Sequence, residues 1–182
     1  MISDKTKVNK NPPSHIIKFI LELFNSDKLN EAKTEIDKQI VKYPNSSILL
    51  NISGAILAGQ NDLNQAIEKY QDALKIDPKY AQAYNNLGIA LHKLNKIEDS
   101  IKVYNKAISL KKNFAEAFNN LGNAFRELKK TKESINYFQK AIGIKPRYAE
   151  AFNNLGSAHE ELGNKKMAVK NYKEAIKFKS DY

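Results

Sequence analysis

The sequence predicts an all-α solenoid built from five tandem 34-residue helix-turn-helix repeats, and three observations carry that prediction. The first is internal: shifted by 34 residues, the chain lays AQAYNNLGIALHKL at residue 81 over AEAFNNLGNAFREL at 115 and AEAFNNLGSAHEEL at 149. The second is periodic. Phe118, Leu121, Gly122 and Phe125 recur at i, i+3, i+4 and i+7, which places them on one inward stripe of a helix. The third is compositional: 42% hydrophobic residues with only 7 Gly and 5 Pro in 182 are enough to fill a real core. A fixed period of this length means stacked units, each too small to bury its own apolar face and each completed by its neighbours.

Taken in order, residues 1–12 are polar and are expected to form a disordered tail. Residues 13–46 fit the period loosely, through Leu23, Ala32 and Pro44, as a divergent capping repeat. Residues 47–80 fit closely, with Gly54, Leu57, Ala66, Tyr70, Ala73 and Pro78 in phase. Residues 81–114, 115–148 and 149–182 are the clearest repeats. Within each, a glycine on the first helix (Gly54, Gly88, Gly122, Gly156) should let the second helix approach closely, a packing role that offsets the ~1 kcal/mol glycine costs in a helix. The second helix presents small residues (Ala66, Ser100, Ser134, Ala168) and large ones (Tyr70, Tyr104, Phe138, Tyr172). Pro146 then stops the pair, because it has no amide hydrogen to give the ladder.

This pattern resembles the tetratricopeptide repeat family over residues 13–182. The family motif has a large residue at position 4, Leu-Gly at 7 and 8, an aromatic at 11, and Ala, aromatic, Ala and Pro at 20, 24, 27 and 32. The first unit departs from it, with Ile20 for the glycine and Gln39 for the second alanine, and Lys112 and Ser180 replace proline. The resemblance implies a right-handed superhelix whose concave wall is lined by first helices, with positions 2, 5, 6, 9, 12 and 13 left over after packing.

Those positions hold an asparagine ladder: Asn51, Asn85 and Asn86, Asn119 and Asn120, Asn123, Asn153 and Asn154. A carboxamide both donates and accepts, so a row of them suits the backbone of an extended peptide. The ladder resembles that in the repeat arm of O-linked N-acetylglucosamine transferases, where such residues hold protein substrates. The same asparagines could instead satisfy polar groups between helices. A split of the two roles would leave Asn86, Asn120 and Asn154 structural and Asn85, Asn119 and Asn153 open to ligand. His92, Lys93 and Arg126, followed by Glu127, Glu160 and Glu161, run from basic to acidic along the same wall. With a net charge of +10, of which residues 81–114 and 115–148 carry +4 each, the middle of the chain suits an acidic segment of a partner. The paired basic residues of the family's carboxylate-clamp adaptors are missing, because position 6 reads Ile52, Asn86, Asn120 and Asn154.

Catalysis is not expected. The carboxylates are spread over helix faces, His15, His92 and His159 lie too far apart in the repeat register to share a metal or a proton, and no phosphate-loop, zinc-protease or nucleophile-elbow motif occurs. No cofactor is implied. The 9 Tyr and 8 Phe recur at packing positions, which leaves the basic middle as the sole support for nucleic-acid binding. With no Cys, no secretory leader in the first dozen residues and no apolar run long enough to span a bilayer, a cytoplasmic protein without a membrane role is expected. The expected function is a protein-interaction scaffold, or alternatively the substrate-recruiting arm of a larger transferase. The apolar side of residues 165–178 has no covering helix in the pattern, so the chain is expected either to continue or to form a homodimer there.

Overall fold

The computed structural model describes residues 11–179. Ten helices and no strand lie among them: α1 (Ser14–Asn25), α2 (Leu29–Lys42), α3 (Ser47–Gly59), α4 (Leu63–Ile76), α5 (Ala81–Lys93), α6 (Ile97–Leu110), α7 (Ala115–Glu127), α8 (Thr131–Ile144), α9 (Ala149–Glu161) and α10 (Lys165–Lys179). None of them is long and apolar enough to cross a membrane. Most of the expected tail lies outside the described residues. Its last two members do not: Pro12 is buried, and Asn11 Oδ1 accepts a hydrogen bond from Ser46 Oγ at 2.7 Å.

The helices divide into two compact units, one ending at Asn86 and the other starting at Leu87, so the division falls inside α5. In the first unit, Ile20, Ala32, Ile36, Leu49, Ile52 and Ile56 form one core cluster. Ile20 is fully buried, so the residue that replaces glycine in the divergent repeat fills the core it interrupts. Gln39, which replaces alanine, is buried at a cost: its Nε2 donates to Glu35 Oε1, but its own Oε1 has no partner. In the second unit, Leu121 and Ala124 of α7 pack on Ile97 and Tyr104 of α6, and Leu155 and Ala158 of α9 pack on Phe138 of α8. Within each unit a first helix is thus seated on the second helix of the preceding pair.

The two helices of a pair meet closely at the first-helix glycine. A Cβ built on Gly54 would lie 2.6 Å from the Tyr70 ring, and one on Gly122 would lie 2.5 Å from Phe138 Cε1. What occupies the space is therefore the large residue of the second helix, lying across the first-helix backbone.

A second periodic device fixes the turn inside each pair. Asp27, Asn61, Asn95, Lys129 and Gly163 all have φ between 58° and 75°. With that left-handed residue in place, the amide of the next residue reaches back to the first helix, as in Lys96 N to Leu91 O (2.9 Å) and Lys130 N to Phe125 O (3.0 Å). Asn, Asp and Gly accept this conformation readily, whereas Lys129 is held there by the turn. Replacing Lys129 with Gly is expected to raise unfolding free energy by about 0.5–1 kcal/mol, measured by urea titration. An equal loss would mean that the lysine side chain stabilises the turn.

Candidate functional site

The asparagine ladder is where the structure departs most from expectation. Asn85 and Asn119 are 3% and 0% exposed, so two of the three residues expected to meet a ligand are buried. Asn153 is exposed, Asn51 and Asn154 are buried, and Asn86, Asn120 and Asn123 are half-buried. The expected split of roles is corrected accordingly. At Asn51 and Asn119 the position-5 carboxamide is covered where the next first helix docks, and it becomes part of the joint.

The bonding of that joint is visible in both units. In the first, Asn86 Nδ2 donates to Asn51 Oδ1 at 3.0 Å, and Asn51 Nδ2 donates to Tyr80 Oη at 3.4 Å. In the second, Asn154 Nδ2 donates to Asn119 Oδ1 at 3.0 Å, and Asn119 Nδ2 donates to Glu150 Oε1 at 2.9 Å. A carboxamide that accepts from one repeat and donates to another neighbour satisfies both of its polar ends in a buried place. Around the second joint, burial first and then the nearby carboxylates of Glu150 and Glu116 push the Tyr148 phenol well above its ordinary pKa, so it stays neutral.

The charges of the same face are also largely committed. His92 Nε2 lies 2.9 Å from Glu127 Oε1, and Arg126 Nε lies 3.7 Å from Glu161 Oε1. Thr131 Oγ1 donates to the other oxygen of Glu161 at 3.1 Å. A position-12 base therefore meets a position-13 acid of the next repeat, twice. The expected gradient from basic to acidic is locally compensated, leaving Lys93 as the exposed cation of the three expected there. In the last pair, position 12 is Glu160, and it accepts from Tyr172 Oη at 2.7 Å.

A cleft of about 460 Å³ in the second unit is lined by Ile89, His92, Lys93, Asn95, Tyr104, Asn120 and Glu127. It brings together His92, Lys93 and Asn120 of the expected site, and it adds Asn95 and Glu127. Asn95 escaped sequence reasoning because it is the left-handed turn residue, outside the six positions considered. The cleft can offer a carboxamide, a paired imidazole and carboxylate, an ammonium group and an apolar wall. Asn123 lies apart from it, with its Oδ1 buried and lacking a hydrogen-bond partner.

Helix pairs at a constant period, with first helices seated on the pair before them and carboxamides bonded across two of the joints, define a protein of the stacked helical-repeat class. The sequence comparison places it within that class: a TPR repeat profile matches residues 54–95, 90–128 and 122–163, and a tetratricopeptide repeat profile matches residues 149–182. The chain belongs to the tetratricopeptide repeat family. Its fold is similar to the crystal structure of MamA, with 26% identity and a TM-score of 0.74 over 88% of this chain and 94% of that one. It is similar also to PilF of Pseudomonas aeruginosa, with 19% identity and a TM-score of 0.83 over 91% of this chain and 75% of that one. A third likeness is to YrrB, described as a TPR protein with an unusual peptide-binding site, with 21% identity and a TM-score of 0.66 over 96% and 90% of the two chains. No curated protein matches the sequence.

Proposed function

We propose that this protein is an interaction scaffold that binds an extended segment of a partner protein along the first-helix face of its second unit. The observation that carries the reading is the cleft around Asn120. It lies between successive first helices and combines peptide-bonding groups with the apolar surface of Ile89. Asn120, half-buried in that cleft, is suited to the ligand's backbone, because a carboxamide with one bond made inside the protein keeps a second donor or acceptor site for an extended strand. Lys93, exposed beside it, favours an acidic side chain at the adjoining position of the peptide. The likeness in fold to YrrB is consistent with peptide binding on such a frame. The resident acids temper the charge preference, since Glu127 would repel a polyacidic ligand.

The test is a peptide array probed with the purified chain, followed by calorimetric titration of the strongest sequence. Asn120→Ala is expected to weaken binding about tenfold, the equivalent of one or two peptide hydrogen bonds. Lys93→Gln should weaken it a few-fold and flatten its salt dependence. Array peptides that bind the Asn120→Ala and Lys93→Gln chains as tightly as the native chain would overturn the assignment to this cleft.

A further inference from the structure

The end of the second unit carries another surface, outside the Asn120 cleft. Along α8, Ile135 and Ile142 pack against the cluster formed with Leu155 and Ala158 of the following first helix. One period later, α10 places Val169 and Ile176 at the same two positions, and there they are 52% and 69% exposed. Between α9 and α10 runs a groove of about 640 Å³, lined by Ala149, Glu150, Asn153, Tyr172, Ala175 and Ile176, with Lys179 at its edge. It is the continuation of the α8–α9 interface. Asn153 stands where Asn119 stands one repeat earlier, and Asn119 Oδ1 accepts the amide of a docked first helix.

Charge distinguishes this seat from the ones before it. Lys166, Lys170, Lys173 and Lys177 are all exposed, and at 3.6 residues per turn they form one stripe bordering Val169 and Ile176. The corresponding residues of α8 are Lys132, Asn136, Gln139 and Gly143, and those of α6 are Glu98, Lys102, Asn105 and Ser109. Only α10 has lysine at all four. Lys177 also approaches Glu174 at 3.8 Å, so the stripe carries one local counter-charge.

We propose that this groove docks an amphipathic helix of a partner protein, with a Leu/Ala stripe seated on Val169 and Ile176 and an acidic flank facing the lysines. The apolar pattern follows from what the equivalent seat one repeat earlier holds, and the acidic flank follows from the stripe. A phosphate-bearing lipid surface is the poorer fit, because the seat is a groove and not a flat face, and Glu150 forms part of its wall.

The probe is a stapled helical peptide carrying residues 149–161 of this chain with added glutamates on one flank. The staple matters because a free helix this short is marginal in water. Titrated against the full chain by fluorescence anisotropy, it is expected to bind saturably, whereas a scrambled peptide of equal charge does not. Ile176→Glu should weaken binding at least about tenfold while leaving the melting temperature unchanged. Replacing the four stripe lysines with glutamine should weaken binding and flatten its salt dependence. The proposal is overturned if Ile176→Glu binds the peptide as well as the native chain does. It is equally overturned if the peptide fails to bind while vesicles of phosphatidylcholine and phosphatidylserine do, or if sedimentation shows that Ile176 is covered by a second copy of the chain.

Discussion

Phe138→Ala is expected to remove about 3–5 kcal/mol of stability, the range for deleting a fully buried aromatic side chain. Phe138 has no exposed surface, lies across the backbone at Gly122, and also supports Leu155 and Ala158 of the next pair. Its loss therefore opens a cavity inside one helix pair and removes the floor beneath another. In a stacked array, stability is nearly a sum of repeat terms and nearest-neighbour terms, so both kinds are reduced at once. Guanidinium unfolding followed by helicity is the measurement. A fall well below 1 kcal/mol would mean that neighbouring side chains collapse into the space.

The reciprocal change separates close approach from simple bulk. In Gly122→Ala the added methyl would lie 2.5–3.0 Å from three Phe138 ring atoms, and such overpacking costs about 1–3 kcal/mol. The better helix propensity of alanine returns about 1 kcal/mol of that. With Phe138→Leu in the background the ring edge is gone, and the alanine penalty should shrink by about 1 kcal/mol, a coupling that a double-mutant cycle reads directly.

These contacts were legible in the sequence because they are repeated. Gly54, Gly88, Gly122 and Gly156 each keep a fixed distance from Tyr70, Tyr104, Phe138 and Tyr172, and a repeated small-large pair has few explanations besides mutual packing. The left-handed turn went unread, although Asp27, Asn61, Asn95 and Gly163 share a position and have in common a tolerance of positive φ. Lys129 breaks that pattern, which is why the turn was harder to see than the glycine.

The division of roles within the ladder was misread for a physical reason. Adjacent asparagines at positions 5 and 6 differ by 100° around a helix, and periodicity within one helix cannot say which of the two a neighbouring helix will cover. Asn85 and Asn119 were expected to be open, but both are buried, and Asn119 sits on the seam with the next first helix, where it takes the Asn154 amide. Likewise, His92 and Arg126 register in the sequence as cations. Their partners, Glu127 and Glu161, lie about one repeat away, a separation that only the stacking brings within 4 Å.

Asn119→Ala puts that correction to the test, and its expected cost is about 2–3 kcal/mol. The side chain is fully buried, with its oxygen taking the Asn154 amide and its own amide serving Glu150. Alanine strands the largely buried Asn154 donor and removes a charge-assisted bond from Glu150, and each such loss is worth about 1–3 kcal/mol, less where water can enter. Asn153→Ala, at the same repeat position but exposed, should stay within about 0.5 kcal/mol of the native chain. If the two carboxamides were ligand groups of one kind, both replacements would be equally benign for folding and equally harmful for peptide binding. A seam asparagine does the reverse: its loss lowers the unfolding midpoint, and in the Asn119→Ala/Asn154→Ala double variant the second change costs about 1 kcal/mol less than it does alone. Urea titrations of the native chain, the three single variants and the double variant decide between the two, and equal midpoints for Asn119→Ala and Asn153→Ala would return the ladder to the ligand.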